Sequence, residues 1–187
     1  MRAMKRPLLI LGLAIAALGF WVSPALASPG LQTFADGGST VTIDPDGSVS
    51  IVLTDGSQDG GVYLNAKNQG NKLLNDVVFS FVSTGDENGG APRFSIPINT
   101  TGASSSVAGY AFIDAAGCNG FVPTSGATVT VSTSNPACGV NFQGVEYTNW
   151  ATFAADFPTY RIAAGAIPFI IADGTAGTYQ VNSIVLR

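Results

Sequence analysis

The hydrophobic pattern divides the chain into two unlike parts. Residues 8–22 run for fifteen positions without a charge. Beyond Gly37 the apolar residues come in short runs rich in Val, Ile, Phe, Tyr and Thr, bounded by Gly, Asn, Asp, Ser or Pro. A period of two, closed by turn formers, is the signature of a half-buried strand. Residues 40–44 and 48–54 show it most cleanly: Val41, Ile43, Val49, Ile51 and Leu53 share one face, and Pro45-Asp46-Gly47 turns the chain into a hairpin. The same signals predict strands at 61–66, 76–83, 93–98, 108–114, 127–133, 159–163, 167–172 and 178–186. Residues 76–83 and 167–172 are apolar on both faces over part of their length, which predicts central strands, with Pro168 weakening the start of the second.

One segment has a different period. In residues 149–157, Trp150, Phe153, Ala154 and Phe157 fall at i, i+3, i+4 and i+7, with Thr148 or Asn149 to cap and Pro158 to stop. That spacing predicts a helix of two to three turns lying on the sheet through its aromatic face. The functional alternative for Trp150, Phe153 and Phe157 is an aromatic ligand platform. About ten strands and one helix predict a mainly β fold, a single β-sandwich or jelly-roll-like domain. The segments Gly38-Ser39-Thr40-Val41-Thr42-Ile43 and Gly126-Ala127-Thr128-Val129-Thr130-Val131 resemble each other, as any two half-buried strands built from Thr and Val do.

The N-terminal part reads differently. Arg2, Lys5 and Arg6 precede the apolar run, and Pro24 and Ala25-Leu26-Ala27 follow it. This is the tripartite pattern of a secretory signal peptide, and the run is shorter than the roughly 18 residues of a spanning helix. Residues 1–27 are therefore expected to be a signal peptide, cut between Ala27 and Ser28, with residues 28–187 forming the secreted domain. That domain carries Lys67, Lys72, Arg93, Arg161 and Arg187 against all twelve acids, a net charge of −7. A field of that sign disfavours nucleic acid, and it disfavours an anionic membrane surface once the leader is gone. With 46% hydrophobic and 10% aromatic residues the chain has ample material for a core, which excludes a disordered acidic segment. The absence of His removes Ser-His-Asp triads, Cys-His dyads and the commonest zinc ligand.

Few residues are left to carry chemistry. Cys118 and Cys138 stand twenty positions apart in a chain with an exported profile, and a structural disulfide is the expected pairing. Asp44-Pro45-Asp46-Gly47-Ser48 begins like a calcium loop but enters a strand at Val49, with no Glu to close twelve residues, so it is not an EF-hand. Asp55, Asp59, Asp86, Glu87 and Asn88 offer loop oxygens from which a calcium site of another kind could be assembled; no other cofactor is indicated. Asp86 and Glu87 are neighbours in an extended segment and point opposite ways, so they make a poor acid and base pair. Asp114 and Glu146 are the remaining carboxylate candidates, and nothing in their surroundings marks a catalytic pair. Asn99-Thr100-Thr101 is a sequon, which implies an exposed Asn99 where the host glycosylates.

Ala91-Pro92-Arg93-Phe94-Ser95-Ile96-Pro97-Ile98, the run from Gly109 to Cys118, and Tyr147-Thr148-Asn149-Trp150 with Pro158-Thr159-Tyr160-Arg161-Ile162 together resemble uncharacterised secreted β-rich proteins of actinobacteria. The resemblance spans most of residues 60–187 and implies an extracellular bacterial setting, in which the sequon is idle. It implies no activity, cofactor or catalytic residue. The expected function is thus a non-catalytic binding or structural module for an extracellular glycan, surface polymer or cell-surface protein. A secreted hydrolase acting on polysaccharide through two carboxylates is the alternative. N-terminal sequencing of exported protein should begin at Ser28; an intact Met1 in the membrane fraction contradicts the leader.

Overall fold

The computed structural model describes residues 30–87, 90–102, 106–121 and 126–187; the expected leader with Ala27 and Ser28, and Asn88, lie outside them. In chain order the strands are β1 (Gln32–Asp36), β2 (Thr40–Ile43), β3 (Val49–Leu53), β4 (Asp59–Tyr63), β5 (Phe79–Gly85), β6 (Arg93–Asn99) and β7 (Gly109–Asp114). They continue as β8 (Ala127–Ser132), β9 (Val140–Phe142), β10 (Val145–Tyr147), β11 (Arg161–Ile162), β12 (Phe169–Asp173) and β13 (Gly177–Leu186). Two short helices interrupt them, α1 (Ala115–Cys118) and α2 (Trp150–Asp156), together with a single 3-10 turn at Leu74–Asp76. The strands form a β-sandwich of two sheets. An eight-stranded sheet runs β1-β4-β12-β6-β7-β9-β10 with β11 beside β6, and a five-stranded sheet runs β2-β3-β13-β5-β8.

The core lies between the sheets and is built by alternation. Val49, Ile51 and Leu53 of β3, Phe79 and Phe81 of β5, and Tyr179 and Val181 of β13 face Phe94, Ile96 and Ile98 of β6, Ala111 and Ile113 of β7, and Ile170 of β12. Phe94 of one sheet receives Phe79 and Phe81 of the other edge-on, at 6.0 and 4.8 Å between ring centroids. All three rings are fully buried. Each such side chain contributes roughly 1.5–3 kcal/mol through burial alone.

The hairpin forms as expected, with Thr40 opposite Val52 and Ile43 opposite Val49. Val49, Ile51 and Leu53 are buried, but Ile43 is 39% exposed because β2 is an edge strand with a neighbour on one side only. Both expected central strands are interior, β5 between β13 and β8, and β12 between β4 and β6. Their starts differ from the sequence pattern. Leu74–Asp76 makes a helical turn ahead of β5, and Pro168, which has no N–H to give, offers only its carbonyl, to Leu64 N at 2.8 Å. The expected strand at 159–163 shrinks to the two residues of β11. The two similar Thr/Val segments become β2 and β8, the opposite edges of the smaller sheet.

Three strands lacked a sequence signal. In β1 the alternate positions Thr33 and Ala35 are exposed, so it has no apolar face to betray it. The three-residue strands β9 and β10 are joined by Gln143 and Gly144 at φ of 53° and 80°, the paired positive values of a tight hairpin turn. Helix α2 is where the aromatic spacing predicts it. Asn149 Oδ1 caps it by accepting from Thr152 N at 2.9 Å.

Cys118 of α1 and Cys138 stand at disulfide distance. Since α1 follows β7 of the larger sheet and Cys138 follows β8 of the smaller, the bond fastens the two sheets together at one edge. Changing both cysteines to Ser should lower unfolding free energy by roughly 3 kcal/mol in urea titrations, the loop-closure value for such a separation. An unchanged urea midpoint contradicts this role.

Candidate functional site

The alternation that sends aliphatic residues inward turns the intervening residues outward, and on the larger sheet these are unusual. Strand register sorts them into rungs that cross the strands. One rung reads Gln32, Tyr63, Phe169, Ser95, Phe112, Asn141 and Glu146 across β1, β4, β12, β6, β7, β9 and β10. The next reads Phe34, Gly61, Ile171, Arg93 and Asp114, and a third reads Asp36, Asp59 and Asp173. The face is thus aromatic in its centre and acidic along one end.

Four rings form a contiguous row. Phe34 lies 4.8 Å from Tyr63 and 5.9 Å from Phe169, Tyr63 lies 5.9 Å from Phe169, and Tyr110 of β7 reaches Phe169 at 5.5 Å. Gly61 permits the row, because a Cβ there would meet the Phe34 ring at 2.8 Å as well as the Ile170 carbonyl. From β1 to β7 the row crosses four strand spacings, about 19 Å. Tyr63 is 38% exposed and the other three rings are half-buried. Rings at outward strand positions are covered by one another and not by the core, and their clustering on one face makes it the candidate binding surface.

The polar flank is ordered by hydrogen bonds. The Arg93 guanidinium holds Asp173 with two bonds of 2.6 and 2.5 Å and lies 5.2 Å from the centre of the Phe112 ring. Glu146 accepts from Asn141 Nδ2. Asp114, register partner of Arg93, caps α1 by accepting from Gly117 N. Burial pushes the Asp114 carboxyl above its ordinary range; the Gly117 bond and the Arg93 charge act against this, and the Glu146 charge adds to it.

A cleft opens beside the row, off the strand ends next to Tyr63. Strands β11 and β12 both pair with the edge of β6 that β7 leaves free, with Ile162 opposite Ile98 and Phe169 opposite Ser95. Residues 163–168 between them leave the sheet. Their departure opens a space of about 380 Å³ whose walls include Gln32, Tyr63, Asn65, Lys67 and Ala164. That volume is within the range of small-ligand sites, roughly 300–1,000 Å³. Exposed Ile167 also lines it.

The residues singled out from sequence are mostly placed elsewhere. Trp150 and Phe153 are 4% and 0% exposed, and Trp150 Nε1 donates to Leu74 O at 2.8 Å, so the α2 aromatics are core and not a platform. Phe157 is half-buried and stacks on Tyr160 at 4.4 Å. Asp44 and Asp46 are engaged by Ser48 in the hairpin turn, and Asp55 by Ser57. Those serine bonds hold Asp46 and Asp55 below the usual carboxylate range. Asp86 accepts from Thr178 N at 2.8 Å, whereas Glu87 is buried with Asn119 Nδ2 at 3.5 Å, so the two do point apart. Among the described residues no group of three or more Asp, Glu, Cys or His side chains is placed to hold a metal, so Asp55, Asp59, Asp86 and Glu87 do not form such a group; Asn88 lies outside the described residues. The sequon residue Asn99 is fully buried, and its Oδ1 accepts from Thr101 N at 2.7 Å. Asp114 and Glu146, by contrast, do share the outer face.

No protein-family model matches the chain, and no curated protein does. A solved structure that matches is the family 11 carbohydrate-binding module of the cellulosomal cellulase Lic26A-Cel5E of Clostridium thermocellum. It is 13% identical, the match covers 83% of this chain and 86% of that one, and the TM-score is 0.41.

A carboxyl raised by folding stabilises the protein fully below its unfolded value of about 3.9, and that contribution is lost as pH rises through the folded value. Asp114→Asn, which keeps an oxygen for Gly117 N, should therefore melt with the wild type in strong acid and above it at neutral pH. Parallel melting curves from pH 3 to 8 contradict the burial effect.

Proposed function

We propose that the protein is a non-catalytic, secreted polysaccharide-binding module whose ligand lies across the outer face of the eight-stranded sheet. The contiguous row of Phe34, Tyr63, Phe169 and Tyr110 carries this reading. A sugar ring has one face of C–H groups, which packs on an aromatic face, and a rim of hydroxyls, which need hydrogen-bond partners. The row supplies the first. The flanking Gln32, Asp36, Asp59, Asn141 and Glu146 supply the second, from strands rather than loops, so that both sets are held in fixed register. A net charge of −7 in residues 28–187 works against a strongly polyanionic chain and favours a mostly neutral one. The cysteine pair at disulfide distance and the leader-like N-terminus support an extracellular setting. Among the described residues no helix is long and apolar enough to cross a membrane.

A polysaccharide hydrolase is the second reading, and a specific observation favours it: Asp114, raised by burial, feels the charge of Glu146 on the same face. A carboxyl raised by burial beside a second carboxylate is an arrangement that acid and base catalysis uses. Against it, Asp114 is already committed to capping α1.

Calorimetric titration against soluble β-glucans, xylans and mannans separates these readings. Binding by the wild type should fall at least tenfold in Tyr63→Ala and in Phe169→Ala, as removal of a central anchor does, and remain in Trp150→Phe. Undiminished binding in the first two variants, or binding to a protein partner and to no polysaccharide, overturns the proposal. Turnover of a bound polysaccharide that Glu146→Gln abolishes replaces it with the hydrolase.

A further inference from the structure

The cleft beside the aromatic row differs electrostatically from the rest of the molecule. None of the residues lining it is acidic, and Lys67 is the one cation among them. In residues 28–187, where twelve acids outnumber five cations, a ligand-sized space free of carboxylates is out of character. The described residues contain one ion pair, Arg93 with Asp173, so Lys67 is not neutralised within them. Asn65 and Gln32 line the same space, and each carries an amide able to donate hydrogen bonds.

The acids are gathered at the opposite end. Tyr63, shared by the row and the cleft, stands four residues along β4 from Asp59, which is paired on both sides with Asp36 and Asp173. Four strand residues correspond to about 13 Å. The outer face is therefore polarised along its strands, and so across the ring row: negative at the Asp36-Asp59-Asp173 end, where Arg93 offsets one of the three charges, and positive at the Lys67 end.

We infer that the cleft takes a carboxylate-bearing sugar, a uronic acid unit at an end or branch of an otherwise neutral polysaccharide, with Lys67 as its counter-ion. The inference rests on the polysaccharide-binding reading and deepens it. A single carboxylate is matched by the single ammonium, while the acidic rung rejects the same unit placed the other way round. The polarity thus sets on which side of the ring row the acidic unit lies. A ligand with a charge on every unit meets the acidic rung somewhere along its length and is excluded.

The test uses the secreted protein and an array of cello-, xylo- and manno-oligosaccharides, each with and without one glucuronic acid unit. For the type that binds, the acidic form should bind about three- to tenfold more tightly than the neutral form, the range expected of one partly exposed charge pair. Lys67→Met and 0.5 M NaCl should each erase the preference while leaving neutral binding, and Lys67→Arg should restore it. Equal affinity for acidic and neutral forms, or a preference that survives Lys67→Met, overturns the cleft assignment and leaves polysaccharide binding standing. Failure of every oligosaccharide to bind, neutral and acidic alike, overturns both.

Discussion

The seat of Phe94 between Phe79 and Phe81 is the contact on which the rest of the structure depends. It joins the two sheets at the middle of their facing strands and fixes which side of β6 is inward. Because strand side chains alternate, a slip of one residue would exchange every inward residue for its neighbour. With Phe94, Ile96 and Ile98 held inside, Arg93, Ser95, Pro97 and Asn99 are committed to the outer side. Pairing then carries that decision to the neighbouring strands. Ser95 sets Phe169 and Phe112 outward, and Phe169 sets Tyr63. The proposed ligand face is thus the reverse side of the core, positioned by the same rings.

Two adjacent glycines of β4 let the two sides coexist. A Cβ at Gly60 would meet Val41 Cγ2 at 2.8 Å and one at Gly61 would meet the Phe34 ring at the same distance. The first contact is where the smaller sheet closes over the larger, and the second is where β1 lays its ring across β4. Bare backbone in an interior strand is costly to order and gives nothing to pack, and close approach on both faces is what it permits here. The electrostatics follow the same division. Acids at the ends of β1, β4 and β12 and the lone cation in the cleft stand on opposite sides of an aromatic centre.

The fold was largely legible in the sequence because alternation and turn formers report burial directly. The 40–54 hairpin, the two interior strands and the Trp150 helix follow from residue spacing alone. The binding face was not, for two physical reasons. Phe34 lies on an edge strand with no buried face, so nothing in its surroundings marks a strand, and Gln143-Gly144 likewise hides a hairpin between two three-residue strands. Tyr63, Tyr110 and Phe169 are scattered over more than a hundred positions, and only the pairing of β4, β12, β6 and β7 brings them together. The aromatics that did catch the eye, Trp150, Phe153 and Phe157, were conspicuous because helical spacing concentrates them in sequence, which is also why they pack as core. Tyr110 and Phe112, two positions apart on the outward side of β7, were the one local hint of a ring-bearing face.

The central claim is that ligand occupies the outer face of the larger sheet, and backbone-amide NMR of labelled protein during titration with a soluble polysaccharide addresses it most directly. Shifts should be confined to the strands of the larger sheet, β1, β4, β12, β6, β7, β9 and β10, and to the cleft segment at 163–168, with the amides of β3, β5 and α2 unmoved. Shifts centred on the outer side of the β3-β13-β5 sheet or on α2 would contradict the account.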